Sequence, residues 1–393
     1  MSQKTDSSSK PDFEALKSRA HNLRWATVDE GVIPLTAADP DLPVSEEITN
    51  ALSEYIAVPH LCYGPPTGLK EFRQSVAAHF AAEKDAAVNL DQVIATNSAA
   101  SAITLVARHL LTDGNEVIIQ DPVDFLVAES ARRAGASLRL WPANDGKFTL
   151  DGLKAVVSDQ TRVISVCHPH NPRGTLWTAD EVLAIAEFAS QRGITILSDE
   201  VWSDVLLDGA SITSFAKYAD LACQPWVIYG LSKGFGLAGL RIGAVIAPSV
   251  AAASALALEQ GFEHTIEGAA TLSQIGAIAA LTRCSDWRAA FLEHCTEQRN
   301  HAVARLQALS GIHIETTPQA TFVLFVDIRG TGLDEDAVAN ALLEHARVRV
   351  VPGSPRWFGP GAAGHIRLSL ATTFEVLDEA LTRIERAWPM LEL

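Results

Sequence analysis

Between residues 92 and 247 the chain alternates short apolar runs with longer segments of helical pattern. The runs Gln92–Thr96, Glu116–Gln120, Ser137–Trp141, Arg162–Cys167, Thr195–Ser198, Trp226–Gly230 and Gly243–Ile246 read as strands. Several are unbroken in Val, Ile and Leu, the mark of strands covered on both faces of a mostly parallel sheet. Ala100–Leu111, Ala179–Gln191 and the stretch 251–281 read as helices covering that sheet. The order predicts an α/β, doubly wound arrangement, a three-layer large domain around a mostly parallel sheet.

The flanks have a different texture. Phe13–Trp25 reads as a short amphipathic helix, Val32–Asp41 as an extended segment, and Ser45–Tyr55 as a helix entered through a serine cap. Tyr63-Gly64-Pro65-Pro66-Thr67-Gly68 is a turn-rich loop leading into a helix over Leu69–Ala82. Beyond residue 284 the pattern gives helix Trp287–Leu309, strands His313–Thr316 and Thr321–Asp327, and helix Asp334–His345. Strands Val348–Val351 and His365–Leu370 and a helix over Glu375–Leu391 follow. This is a smaller α+β layer, against which the N-terminal segment can pack. The expected organisation is a tail and helix over 1–30, the N-terminal part of a small domain over 31–55, a large domain over 56–283 and the rest of the small domain over 284–393. Residues 2–11, rich in Ser, Lys, Asp and Pro, read as a mobile tail.

Composition narrows the function classes. At 393 residues the chain is too long for one small core, and its 48% hydrophobic content marks a packed globule. The formal charge of −16 argues against nucleic acid as a partner. The five cysteines (Cys62, Cys167, Cys223, Cys284, Cys295) are odd in number, scattered and without a Cys-x-x-Cys pair. They predict free thiols in a reducing, cytoplasmic setting. Cys167-His168-Pro169-His170 lacks a second ligand cluster, so no metal is expected. No run of about 18 apolar residues predicts a membrane span, and the N-terminus shows no apolar signal region.

The candidate chemistry centres on Lys233, set in Gly230-Leu231-Ser232-Lys233-Gly234-Phe235-Gly236 with Arg241 eight residues on. Small neighbours let backbone and ammonium approach a ligand closely. A lysine able to lose its charge beside a phosphate-binding arginine suggests a Schiff base to pyridoxal phosphate. Other positions then acquire meaning at the carboxyl ends of the strands, where ligands of open α/β sheets gather. Asp199 ends one strand and can pair with a protonated ring nitrogen, or simply cap the following helix. Asn171 follows another and can donate to a ring oxygen, or simply form an Asn-Pro turn. Ser98-Ala99-Ala100 opens a helix whose first amides attract anions. Arg367 lies inside an apolar strand and needs an anion, either a substrate carboxylate or a structural Asp or Glu. Tyr63 is either a phosphate ligand or loop packing.

The ordered series Tyr63-Gly64, Asn171-Pro172-x-Gly174, Asp199-Glu200, Ser232-Lys233-x-Phe235-Gly236-x-x-Gly239-x-Arg241 and Arg367-Leu368-Ser369 resembles the fold-type I, pyridoxal-phosphate-dependent enzymes of aminotransferase class I/II. The resemblance runs from about residue 30 to the end. It implies that Lys233 carries the cofactor, Asp199 meets the pyridine nitrogen and Asn171 bonds the ring hydroxyl. Arg241 and the 98–100 amides would hold the phosphate, with Ser232, Trp202 and a stacking Phe125 beside the cofactor. Arg367 and Ala38 would meet the amino-acid substrate. Tyr63 would reach a phosphate across the interface of a homodimer.

His168-Pro169-His170-Asn171-Pro172-x-Gly174-x-x-Trp177-Thr178 and Asp199-Glu200-Val201-x-Ser203-Asp204-x-x-Leu207 look like the MalY/PatB-type carbon–sulfur lyases, as does Ala38-Asp39. Three departures accompany them. Trp202 stands where aminotransferases commonly carry a tyrosine, Gly230 where relatives carry a phosphate-binding serine, and Asp124 at or beside the cofactor-stacking aromatic. Ser98 stands for an expected glycine. The leading expectation is therefore a lyase that eliminates a leaving group from an amino acid; the alternative is an aminotransferase. A cofactor-binding transcription-factor domain is disfavoured by the lack of a helix-turn-helix extension or basic face.

Overall fold

The computed structural model describes residues 11–390. The tail expected over 2–11 lies, but for its last residue, outside them, as does Leu391 at the end of the final expected helix. Twelve strands occur among the described residues: β1 (Ile33–Pro34), β2 (Val93–Thr96), β3 (Glu116–Asp121), β4 (Ser137–Pro142), β5 (Thr161–Cys167), β6 (Thr195–Asp199), β7 (Trp226–Gly230), β8 (Gly243–Ile246), β9 (Val323–Asp327), β10 (Val348–Arg349), β11 (Val351–Pro352) and β12 (His365–Ser369). Seven form the central sheet in the order β2-β8-β7-β6-β5-β3-β4. Strands β3 to β7 run parallel, and β8 runs antiparallel to both its neighbours.

The continuous apolar runs behave as their composition requires. β2, β7 and β8 are buried at every position, and only the edge strand β4 alternates exposed and half-buried residues. One apolar cluster, with Phe72, Phe80 and Tyr229, covers one face. A second, with Ile103, Val106 and Leu256, covers the other. This is the three-layer α/β fold that the sequence pattern predicts.

A smaller layer is built from both flanks. β9, β11 and β12 form an antiparallel sheet, while β1 pairs in parallel with β10, placing Ile33 opposite Val348. Ile33 and Leu35 are buried with Leu324, Leu368, Leu377 and Ile384, so the N-terminal segment completes the C-terminal core.

Several expected elements are shorter or divided. The helix expected over Phe13–Trp25 spans only Phe13–Ser18, followed by a single turn at Trp25–Thr27. The Asn22 side chain accepts from the Arg24 and Trp25 amides, an alternative to helical pairing. Within Val32–Asp41 only Ile33–Pro34 pairs as strand. The 251–281 stretch is two helices, Val250–Glu259 and Thr271–Arg283, separated where Gly261 takes a φ of 74°. His313–Thr316 makes one bridge, His313 to Asp327, and no strand. Val348–Val351 divides at Val350, its halves serving different sheets. Two helices absent from the sequence reading, Phe125–Arg133 and Leu150–Val156, are each entered through a side-chain cap, Asp124 and Thr149.

The close packing of helix on sheet makes a prediction. A Cβ at Gly243 would lie 2.6 Å from the Ala99 nitrogen and 2.7 Å from the Ser98 carbonyl carbon, against backbone that cannot rotate away. Gly243→Ala should lower stability by about 1–3 kcal/mol in urea denaturation, the usual cost of overpacking; an unchanged midpoint would show that the helix start can move.

Candidate active site

The parallel strands of the large sheet deliver chemistry at their carboxyl ends. β6 ends at Asp199, β5 leads into Asn171, and β7 leads into Ser232 and Lys233. β2 leads into Ser98 and the helix Ala99–Leu110. The smaller layer adds Arg367 from the middle of β12, and the N-terminal segment adds Ala38. All of these, with Phe125, Trp202 and Arg241, line one cavity of about 670 Å³. Tyr63 does not: it is 91% exposed, in the loop before helix Lys70–Glu83.

Burial sets the electrostatics of this cavity. The Lys233 Nζ donates 2.6 Å to the Ala38 carbonyl and lies 5.4 Å from the centroid of the Trp202 ring. Desolvation pulls its pKa below the usual lysine value, and Arg367 adds to that, against the opposing pull of Asp39, Asp124 and Asp199. Asp199 is pushed up to about 7, chiefly by burial, while the Val201 amide donating to it at 3.1 Å works the other way. Arg367 is brought down to about 10 by burial. Its Nη2 donates to the Thr36 carbonyl at 2.9 Å, its guanidinium lies 5.1 Å from the Phe358 ring centroid, and its buried Nε has no partner. Among the described residues no salt bridge joins Lys233, Asp199 and Arg367 to one another or to any other group.

The helix start that follows β2 is suited to an anion. Ser98 caps its helix by accepting from the Ser101 amide at 3.1 Å, leaving the Ala99 and Ala100 amides without intrahelical acceptors. Ser98 (φ 142°) and Arg241 (φ 51°) are both held in backbone conformations that non-glycine residues seldom adopt. Such strain clusters where side chains and amides must be aimed. Gly230 has a packing reason: a Cβ there would meet Val201 Cγ2 at 2.8 Å and the Ala99 Cβ at 3.1 Å. The space a serine would need is already filled.

Other participants carry little signal in the sequence. Asp124 accepts from the Asn171 amide at 3.0 Å and caps the helix at Phe125. Thr36, Trp357 and Phe358 line the cavity from segments with no recognisable motif, although Trp357 meets Phe125 edge-on at 5.7 Å. Beneath the lysine loop lies Asp204, fully buried. It accepts from His79 Nε2 (2.6 Å), Lys84 Nζ (2.6 Å), the Tyr229 hydroxyl (2.5 Å) and Arg288 (3.2 Å). These donors hold its carboxyl well below the usual range despite burial. A Cβ on Gly234 would lie 2.4 Å from that of Asp204, so the residue after Lys233 rests on this carboxylate.

The raised Asp199 pKa has a consequence for stability. Its folded value of about 7 lies above the unfolded value of about 3.9, so between those limits the native protein holds a proton that the unfolded chain has released. Stability must therefore fall as pH rises through that window. For the protein without added ligand, the wild type should lose ground relative to Asp199→Asn between pH 4.5 and 7.5 in urea denaturation. A pH-independent difference would contradict the shift.

Known proteins resemble this chain along most of its length. The family model for aminotransferase class I and II matches residues 30–384. An aspartate aminotransferase of Pyrococcus horikoshii is 32% identical over 363 residues, covering 91% of each chain. An aspartate aminotransferase of Bacillus subtilis is 29% identical over 383 residues, covering 95% of this chain and 94% of the other. Among solved structures, the aromatic aminotransferase from Pyrococcus horikoshii superposes with a TM-score of 0.85 at 28% identity, covering 93% of this chain and 97% of that one. The chain belongs to the aminotransferase class I and II family, enzymes of fold type I that depend on pyridoxal phosphate.

Proposed function

We propose that this enzyme moves an amino group between an amino acid and a 2-oxo acid, with Lys233 as the cofactor lysine. The observation that carries this reading is the state of Lys233: half-buried in the cavity wall, hydrogen-bonded to a backbone carbonyl alone, and depressed in pKa by desolvation. A lysine so placed can lose its proton and act as nucleophile and base.

The surrounding residues fit pyridoxal phosphate. Arg241 and the Ala99 and Ala100 amides offer donors to a phosphate, and Ser232 lines the same cavity. Asp199 offers a carboxylate to the ring nitrogen, Asn171 an amide to the ring oxygen, and Phe125 an aromatic face. Arg367, with its buried and unpartnered Nε, offers a fork to the substrate carboxylate while Ala38 borders the same space. Bound there, the cofactor supplies an electron sink that weakens the substrate's Cα–H bond.

The chain's own groups then divide the work. Arg367 fixes the carboxylate, so the Cα–H is oriented toward Lys233. Lys233 takes that proton on Nζ and can return it to another carbon, which separates transfer from simple racemisation. Asp199 keeps a positive charge on the ring nitrogen favourable. Trp202 can offer only a ring face and an N–H, so it cannot replace a tyrosine hydroxyl. Tyr63, exposed in one chain, is proposed to meet the phosphate of a second copy in a homodimer.

The carbon–sulfur elimination expected from the Trp177 and Asp204 motifs would use the same residues. The relatives described above are aspartate and aromatic aminotransferases, which favours transfer. Incubation with amino-acid and 2-oxo-acid pairs should yield one new amino acid per oxo acid consumed. Ammonia and pyruvate released without any oxo-acid acceptor would overturn the transfer reading. Lys233→Ala should lose at least about 10²–10⁴ in turnover, as expected for a lost acid–base group. Arg367→Leu should raise KM for the amino acid roughly 10- to 100-fold, the worth of hydrogen bonds to a charged group. An unchanged KM would remove Arg367 from substrate binding.

A further inference from the structure

The cavity also carries a carboxylate that the reading above does not use. Asp124 lines it, half-buried, between β3 and the helix Phe125–Arg133. Its Oδ1 accepts from the Leu126 amide at 3.1 Å and caps that helix. A cap needs one oxygen only. The other, Oδ2, accepts from Asn171 Nδ2 at 3.0 Å.

Asn171 is buried and held from both ends. Its Nδ2 faces Asp124, and its Oδ1 lies 3.4 Å from Arg367 Nη1. A carboxylate only accepts and a guanidinium only donates, so these partners permit one orientation of the carboxamide. The contact with Arg367 is long for a hydrogen bond, which leaves Asp124 as the firmer restraint. The amide nitrogen carries two hydrogens and Asp124 takes one, so the second is left for a ligand in the cavity.

The loops that carry the two residues are fixed to each other independently of this contact. Burial brings His170 down to about 3, so its ring is neutral. Its Nδ1 accepts from the Arg173 amide at 3.4 Å, and its Nε2 donates to the Pro122 carbonyl at 2.9 Å. The Val123 amide donates to the Phe358 carbonyl at 2.8 Å, and Asp121 accepts from the Gly361 amide at 2.8 Å. Backbone on both sides of Asp124 therefore sets where its carboxylate meets Asn171. Its charge also reaches the other ionisable groups of the cavity: alongside the larger effect of burial, it raises Lys233, Asp199 and Arg367 alike.

We propose that Asp124 is a positioning residue that acts through Asn171: it fixes the carboxamide so that one N–H is presented to the ring oxygen of the bound cofactor. This rests on the assignment of Asn171 to that oxygen. An aromatic side chain, expected at or beside this position, would cap no helix and offer Asn171 no carboxylate. The departure at Asp124 thus exchanges stacking for orientation, with Phe125 left to supply the aromatic face.

A double-mutant cycle over Asp124→Ser and Asn171→Ala tests this. Serine caps a helix about as well as aspartate, but its single oxygen is then occupied. The ligand is pyridoxamine phosphate, which has the ring oxygen and no aldehyde to react with a lysine, and its binding is read by equilibrium dialysis. Asp124→Ser should weaken binding roughly three- to tenfold more with Asn171 in place than in the Asn171→Ala background, the worth of one hydrogen bond. The lost charge acts in both backgrounds and cancels from this comparison. Asp124→Asn gives a second, independent cycle with the same expectation, because its oxygen keeps the cap while its amide sets a donor against the Asn171 donor.

The pH midpoint of the visible absorbance change in the cofactor-loaded enzyme gives a reading that a lost cap does not move. A hydrogen bond to the ring oxygen favours its ionised form. Asp124→Ser should therefore displace the midpoint upward by about half a unit relative to the same substitution in the Asn171→Ala background. Equal effects of the Asp124 substitutions in the two backgrounds, on binding and on the midpoint, overturn the proposal. An Asn171→Ala enzyme indistinguishable from wild type in both readings overturns it together with the assignment of Asn171 to the ring oxygen. If Asn171→Ala weakens binding and neither Asp124 substitution does, that assignment stands and the role of Asp124 falls.

Discussion

Desolvation of ionisable groups inside one cavity is the constraint around which the structure is arranged. Asp199 and Arg367 are buried and Lys233 is half-buried, yet among the described residues none forms a salt bridge with another. Each consequently departs from its ordinary pKa in the direction burial dictates: the carboxyl upward, the two cations downward. A protein selected for stability alone would pair such charges or replace them. Keeping them apart and partly unsatisfied holds three different chemical capacities ready for a ligand that is itself charged at several points. In the proposed reading a pyridinium would meet Asp199 and an amino-acid carboxylate would meet Arg367.

The fold supports this arrangement from below. The large sheet provides a rigid floor whose strand ends project Asn171, Asp199 and the lysine loop, with buried strands that leave little room for drift. Asp204 acts as a node under that floor. It joins Tyr229 of β7, His79 and Lys84 around helix Lys70–Glu83, and Arg288 of the long helix Ser285–Leu306 that leads into the smaller layer. A buried carboxylate with four donors is secure only while all four remain in place. The smaller layer closes the site from above with Arg367, and the ion pair between Arg173 and Glu315 ties the Asn171 loop to it.

Much of the architecture was legible because burial on both faces writes itself as continuous apolar runs. All seven central strands lie within a residue or so of where that pattern puts them. The cavity residues were legible for a different reason. Lys233, Asp199, Asn171 and Arg367 are polar side chains at places where apolar or turn residues would serve folding better, and a family pattern linked them. What escaped was decided by contacts distant in sequence. Asp124 gives no hint of accepting from Asn171, and Asp204 reads as one more acidic residue until its four donors converge. The Val348–Val351 strand divides because β1 arrives from the other end of the chain. Trp357 and Phe358 reach the cavity from a short helix with no chemical motif. Gly230, which looked like a lost phosphate ligand, is accounted for by the side chains of Val201 and Ala99.

The central claim is that Lys233 is the covalent anchor of the cofactor, with the other cavity residues arranged around it. Borohydride reduction of the pyridoxal-phosphate-loaded enzyme, followed by peptide mass mapping, tests it most directly. The phosphopyridoxyl group should be found on the peptide containing Ser232-Lys233-Gly234, in stoichiometric amount. A label distributed over surface lysines, or confined to a lysine other than Lys233, would contradict it.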